Sequence, residues 1–320
     1  MKKVLACLLA VCLLVTFVGC AKEAGGKQND DDAKTKMGMA VIANAEAGEQ
    51  EASLTALAAV VLTDADGKII SCRLDEVQLK PAIENDVLKD VADFRTKYEL
   101  GNDYNMKTYG GAKQEWFEQV DAFCKYVVGK TANEVSSIQT QDGKGVDTDL
   151  TAGCTIVVTD FIKVVSKAAA DAKEDGAKAT DKLGLAVTAS RYASSEDTAP
   201  RYDVEFTGVA VGADGKVTAC RADELQKAFT VTDGKFAAES GEVKTKRQLG
   251  NDYGMKVASG IGLEWFEQVD NLQKYLAGKT EGDIAGMELT DAKITDAAAG
   301  CTIMVPAMLI NVKKAMNAAV

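Results

Sequence analysis

The chain has no histidine among its 320 residues. That absence excludes Ser-His and Cys-His nucleophilic catalysis and every histidine-ligated metal centre. No Cys-x-x-Cys occurs, so the eight cysteines show neither zinc-type nor thioredoxin-type spacing. No two acids stand at a spacing recognisable as a paired-carboxylate hydrolase site. Beyond residue 20 no segment is long and apolar enough to cross a bilayer. Basic charge is in deficit, 37 Lys and Arg against 48 Asp and Glu, which leaves a net charge of −11. Such a balance argues against nucleic-acid partners and against charge-driven binding to anionic lipid.

What the chain does have begins with its first twenty residues. Lys2 and Lys3 precede an apolar run from Val4 to Val18, which is short for a membrane span and fits a signal-peptide core. The run ends in Phe17-Val18-Gly19-Cys20, which resembles a lipobox. This predicts a signal peptide over 1–19 and lipidation at Cys20, making the protein membrane-anchored, not spanning. Residues 20–36, rich in small and charged side chains, read as a flexible tether.

The rest of the chain repeats itself. Leu100–Lys107 (LGNDYNMK) returns as LGNDYGMK at 249–256, and EWFEQVD at 115–121 returns unchanged at 264–270. DGKIISCR at 66–73 matches DGKVTACR at 214–221, and AGCTI at 152–156 matches AGCTI at 299–303. Four blocks in one order at nearly constant spacing define two tandem domains, 37–172 and 183–320, joined by a polar linker at 173–182. Within each, β-rich runs around an Asp-Gly pair predict a hairpin. EWFEQVDAFCKYVV places Trp116, Phe117, Val120, Phe123, Cys124 and Val127 on one helical face. Thr131-x-x-Glu134 reads as a capping box. An apolar-periodic helix follows each AGCT. The expected fold is α+β: two copies of a small antiparallel sheet packed against helices.

The block ahead of the last helix reads Asp149-Leu150-Thr151-Ala152-Gly153-Cys154-Thr155, and its counterpart is Asp296-Ala297-Ala298-Ala299-Gly300-Cys301-Thr302. Both resemble the Asp-x-x-Ser/Thr-Gly-Ala-Thr motif of the FMN-binding domain family, in which a flavin transferase joins the last Thr to the phosphate of FMN. The resemblance implies FMN at Thr155 and Thr302, with Gly153, Gly300, Cys154, Cys301, Asp149 and Asp296 around it. It also implies a place among surface lipoproteins of extracellular electron transfer. The chain departs from the motif at Ala152 and Ala299, where the family has Ser or Thr, and at Cys154 and Cys301, where it has Ala. A glycine turn opening onto a helix N-terminus is physically suited to a phosphate. The competing reading makes AGCT a helix cap with Thr as the capping residue.

Other repeated residues carry two readings each. Cys72 with Cys154, and Cys220 with Cys301, could form disulfides in an exported protein, or could be buried thiols. Trp116 and Trp265 could stack on a flavin ring or belong to the core. Tyr104 and Tyr253 lie in the LGNDY block, which reads as a loop. Lys97, Lys107, Lys246 and Lys256 could neutralise a phosphate or be solvated.

The function expected from all this is a lipid-anchored FMN carrier outside the cell, taking electrons from a membrane donor to an extracellular acceptor. The alternative is a ligand-binding or structural surface lipoprotein without flavin.

Overall fold

The stretch Ala56–Leu62 is apolar at every position, so a strand there needs cover on both faces. The computed structural model, which describes residues 34–296 and 299–320, supplies that cover from two different directions. The leader, Cys20 and the tether up to residue 33 lie outside the described residues. Among the described residues no helix is long and apolar enough to cross a membrane.

Strands β1 (Lys36–Ala47), β2 (Ala52–Thr63) and β3 (Ile69–Leu79) form an antiparallel meander. The predicted Asp-Gly turn joins the last two, with Gly67 at φ 78° and the Asp64 carboxylate accepting from the Asp66 and Lys68 N–H groups. One face of this sheet presents Ala40, Ile42, Leu57, Ala59, Val61, Cys72 and Leu74 to helices α1 (Trp116–Val127) and α2 (Thr159–Ala170). The second half follows the same order. Strands β4 (Lys182–Arg191), β5 (Arg201–Val211) and β6 (Val217–Ala228) carry Ala186, Val209, Cys220 and Ala222 under α3 (Trp265–Leu276) and α4 (Pro306–Asn317). The fold is therefore α+β, as expected.

The unforeseen part is the other face of each sheet. Val41, Ala43, Leu54, Ala58, Val60, Leu62 and Val77 of the first pack against Leu183, Val187, Tyr202, Val204, Phe206 and Leu225 of the second, in one shared apolar layer. The order is helix, sheet, sheet, helix. Each large side chain buried there contributes about 1.5–3 kcal/mol relative to exposure. Separating the halves would expose this whole layer to water.

The halves also exchange segments and polar contacts. Strand β7 (Glu239–Glu242), from the second half, pairs antiparallel with β1. Arg73 Nε donates to the Leu183 carbonyl at 3.4 Å, and Arg221, at the matching place in its own block, donates to the Met37 carbonyl at 3.2 Å. Gln248 donates to the Val41 carbonyl at 2.8 Å. At its counterpart Glu99 a lysine makes the link instead: Lys314 bridges Glu99 (2.7 Å) to the Val187 carbonyl (2.7 Å). Where β2 and β5 approach most closely, Gly208 meets Val60, with an ideal Cβ on the glycine falling 2.6 Å from Val60 Cγ2.

Two expected boundaries shift. The tether does not run to residue 36, because Thr35 is buried and Lys36 already pairs with Thr63. The 173–182 segment is not a free linker: Met37 and Lys173 exchange backbone hydrogen bonds at 3.0 Å each, and Thr218 donates to Asp181 at 2.5 Å.

Candidate functional site

The LGNDY block is not a loop but two short helical turns, Lys97–Leu100 and Gly101–Tyr104, repeated at Lys246–Leu249 and Gly250–Tyr253. Thr96 opens the first with a capping box to Glu99, and Thr245 does the same with Gln248. Gly101 and Gly250 sit at φ 52° and 55°, where a side chain would be strained. The turns are tied down from below. Asp75 accepts the Tyr98 N–H at 3.2 Å and Asp223 accepts the Arg247 N–H at 3.1 Å. Burial pushes the Asp75 carboxyl up to about 7 and raises that of Asp223.

This fixes the roles of the repeated aromatics and lysines. Lys97 Nζ lies 5.3 Å from the Tyr104 ring and 5.6 Å from the Trp116 ring, and pairs with Glu76 at 2.5 Å. Lys246 does the same with Tyr253 (5.1 Å), Trp265 (5.3 Å) and Glu224 (2.7 Å). Both tryptophans are buried, so they are core residues and present no face to a ligand. Lys97 and Lys246 are committed to carboxylates, and Lys107 pairs with Glu118 at 2.7 Å. Of the four lysines, Lys256 is exposed and makes no ion pair among the described residues.

The next layer is built from EWFEQ. Glu115 caps α1 through a capping box with Glu118, and its carboxylate also accepts the N–H groups of Met106 (2.8 Å) and Lys107 (3.2 Å). Glu264 receives Met255 (2.9 Å) and Lys256 (3.0 Å) in the same way. One turn further along, Gln119 and Gln268 sit on the buried face of their helices. Gln119 Oε1 accepts from Thr155 N–H at 2.9 Å and Thr155 Oγ1 at 3.2 Å. Gln268 Oε1 accepts from Thr302 at 2.8 Å and 3.1 Å. The EWFEQ helix and the AGCT turn thus meet at one threonine in each half; the segment after LGNDY reaches Gln119 through Met106 Sδ (3.4 Å) in the first half and Thr302 through the Ser259 carbonyl in the second. Thr155 is exposed; Thr302 is half-buried, and its single Oγ1 proton is shared between Gln268 Oε1 and the Ser259 carbonyl, each 3.1 Å away. Around them Tyr109, Val157, Val257, Ile261 and Met304 are exposed apolar side chains of the adjoining segments.

The remaining motif residues fall as follows. Cys154 and Cys301 are buried, and burial raises both thiols, Cys154 to about 11. The Ala-to-Cys departure therefore faces the core. Gly153 lies flat on α1, where an ideal Cβ would come 2.6 Å from Ala122 Cβ, so its smallness serves helix packing. Gly300 has φ 54° and its carbonyl accepts from Asn271 at 3.1 Å. The helices do not start at AGCT. They begin at Thr159 and Pro306, with Val158 and Val305 as N-caps that offer no side-chain bond, so neither threonine is a helix cap. Asp149 and Asp296 are not counterparts. Asp296 accepts from Tyr275 at 2.8 Å, whereas in the first half the carboxylate beside the matching Tyr126 is Asp147. Asp147 also caps the turn Thr148–Thr151, leaving Asp149 exposed. The second copy is shorter here, and aligning on the Thr-Asp pair conceals this.

All five cysteines of the described residues are free and buried. Cys72 meets Cys124, not Cys154, and that contact together with burial raises the Cys124 thiol well above its ordinary range. In the second half Gln273 stands in place of Cys124 and accepts the Ala222 N–H at 2.7 Å. Sequence reasoning passed over Gln119, Gln268, Glu115 and Glu264. Their signal was present: a polar residue retained twice inside an apolar helical stripe. A groove of about 630 Å³ lies elsewhere, between the 171–175 segment and the second half. Its arginines are already paired, Arg221 with Asp175 and Arg247 with Asp270, while Lys173 and Lys274 lie exposed at its edge. No family model matches this chain, and neither does any curated protein or solved structure at a significant level.

Proposed function

We propose that the chain is a lipid-anchored surface flavoprotein that carries electrons between a membrane donor and an extracellular acceptor. Thr155 and Thr302 would be the attachment points for FMN and Cys20 the anchor. The observation that carries this reading is the meeting of the EWFEQ and AGCT blocks at one threonine hydroxyl in each half, exposed at Thr155 and half-buried at Thr302. The departures from the family motif lie away from that hydroxyl: Cys154, Cys301 and Ala299 are buried in the core and Ala152 is exposed. The first N–H groups of α2 lack a side-chain cap and lie close in sequence to Thr155, an arrangement that favours a nearby anion, whereas α4 opens on Pro306, which has no N–H to offer. Exposed Tyr109, Val257, Ile261 and Met304 offer apolar surface against which a ring system could lie. When bound, the flavin supplies the redox chemistry, while the protein holds its phosphate end and sets its surroundings.

The test is expression with a flavin transferase, followed by denaturing electrophoresis and a scan for flavin fluorescence. The expected result is a fluorescent protein band that disappears in the Thr155→Ala, Thr302→Ala double variant. A colourless band with transferase present, and no uptake of free FMN, refutes the reading.

A further inference from the structure

We propose that Gln119 and Gln268 are positioning residues that fix the hydroxyls of Thr155 and Thr302 for reaction with a flavin dinucleotide; this rests on the function proposed above. Each glutamine is at most 1% exposed. Burying an unpaired amide costs about 1–3 kcal/mol, so a polar residue on this stripe needs every partner it can find. The partners also remove the ambiguity of the amide. Nε2 of Gln119 donates to the Gln114 carbonyl at 3.1 Å, and Nε2 of Gln268 donates to the Leu263 carbonyl at 3.3 Å. A carbonyl accepts only from the NH₂ end, and a backbone N–H donates only to the oxygen end. Oε1 must therefore face the threonine in both halves.

The consequence falls on the Thr155 hydroxyl. Oε1 already receives the Thr155 backbone N–H, which locks the turn, and it draws the Oγ1 proton inward. The lone pairs of Oγ1 are left pointing away from the helix, where Thr155 is exposed. Thr155 Oγ1 would form a bond to phosphorus of the dinucleotide's phosphoanhydride as the bridging P–O bond breaks. The nucleoside monophosphate leaves with that electron pair. The Oγ1 proton passes to a base of the transferase or to water, because an amide oxygen is too weak a base to hold it, and no redox change occurs. After transfer, Gln119 still accepts the Thr155 N–H, so the product stays anchored by its backbone. Fixing a rotor before reaction removes an entropic cost from the bimolecular step.

The test uses the full chain carrying Thr302→Ala, so that Thr155 is the sole acceptor. Purified transferase and excess flavin dinucleotide are added, and the initial rate of covalent labelling and the urea midpoint are measured for Gln119, Gln119→Leu and Gln119→Glu. Gln119→Leu is expected to lower the labelling rate roughly 10- to 100-fold, by loss of orientation. Gln119→Glu can restore both contacts only when its buried carboxyl is protonated, donating to Gln114 and accepting from Thr155. Its rate relative to Gln119 should therefore rise as pH falls. A purely structural role would make the labelling rates of all variants follow their urea midpoints at every pH, with no loss of rate beyond the loss of stability. Undiminished labelling of Gln119→Leu, or a flat ratio for Gln119→Glu, overturns the positioning role while leaving the flavin reading intact. Absence of label from the Gln119 parent overturns both.

Discussion

Replacing Gly38 by alanine adds one methyl group at the tightest helix–sheet contact of the first half. Its Cβ would sit 1.9 Å from the Ala168 carbonyl oxygen and 3.0 Å from Ala172 Cα. Ordinary contact begins near 3.4 Å, and both obstacles are backbone, so no side chain can swing aside. Helix α2 must retreat by more than an ångström. It carries Phe161, Val164, Val165 and Ala168 into the core, and a gap of ~1 Å forfeits a quarter to a half of each dispersion contact. Overpacking usually costs about 1–3 kcal/mol, and a rigid obstacle on this scale should bring the loss to ~3 kcal/mol or more. A glycine-to-alanine change at an unstrained position would instead stabilise by about 0.4–1 kcal/mol, so the sign alone is informative. Gly184→Ala should behave identically, since its Cβ would meet the Ala315 carbonyl at 1.9 Å. Gly48→Ala, whose nearest neighbour is 4.0 Å away, is the control and should stay within ~0.5 kcal/mol. Urea unfolding followed by tryptophan fluorescence is the assay. Trp116 reports the first half and Trp265 the second, so single-Trp versions show whether the halves unfold together. The shared inner layer predicts coincident transitions in every variant. Parent-like stability of Gly38→Ala refutes the packing account, and separated transitions refute the shared core.

Two further outcomes follow from the sheets. Gly208→Val should cost about 1–3 kcal/mol against Val60, and the Val60→Gly, Gly208→Val exchange should recover much of it, giving a favourable coupling in a double-mutant cycle; simple additivity would count against the knob-and-hole contact. Glu205, raised to about 8 by burial and the nearby Glu224, stands where the first half has Leu57. Its folded value exceeds its unfolded one, so its contribution is present at low pH and is lost as pH rises from the ordinary carboxylate range through about 8. Glu205→Gln should therefore be more stable than the parent by about 1–3 kcal/mol at pH 8 and similar near pH 4. A urea midpoint that falls at pH 8 would contradict this.

Much of the secondary structure was legible in the sequence because local chemistry set it. The Asp-Gly hairpin, the amphipathic α1 and the Thr131–Glu134 capping box all stand where spacing put them. What could not be read was non-local. The strand pattern predicts helices over one side of each sheet but not the second sheet over the other, and a polar 173–182 segment reads as a linker until its backbone is seen bonded to β1. At the candidate site, repetition identified the right blocks and missed the reason for them. Gln119 and Trp116 are equally well repeated, yet one holds the threonine and the other fills the core. The Asp149–Asp296 equivalence failed because a Thr-Asp pair recurs across a length difference, and only the tyrosine partners reveal the true register.

The contact between Val60 and Gly208 has a meaning for how such a chain can change. These residues occupy the same position in their halves and face one another near an approximate two-fold axis. In a symmetric dimer of separate chains, any substitution there would appear on both sides at once, and two valines would collide or two glycines would leave a void. Joining the subunits in one polypeptide frees each side to vary alone, so a bulky residue can be answered by a small one. Glu99 with Lys314 on one side and Gln248 on the other record the same freedom in polar form. Within one polypeptide the two facing surfaces can thus differ, each shaped to the other and not to a copy of itself.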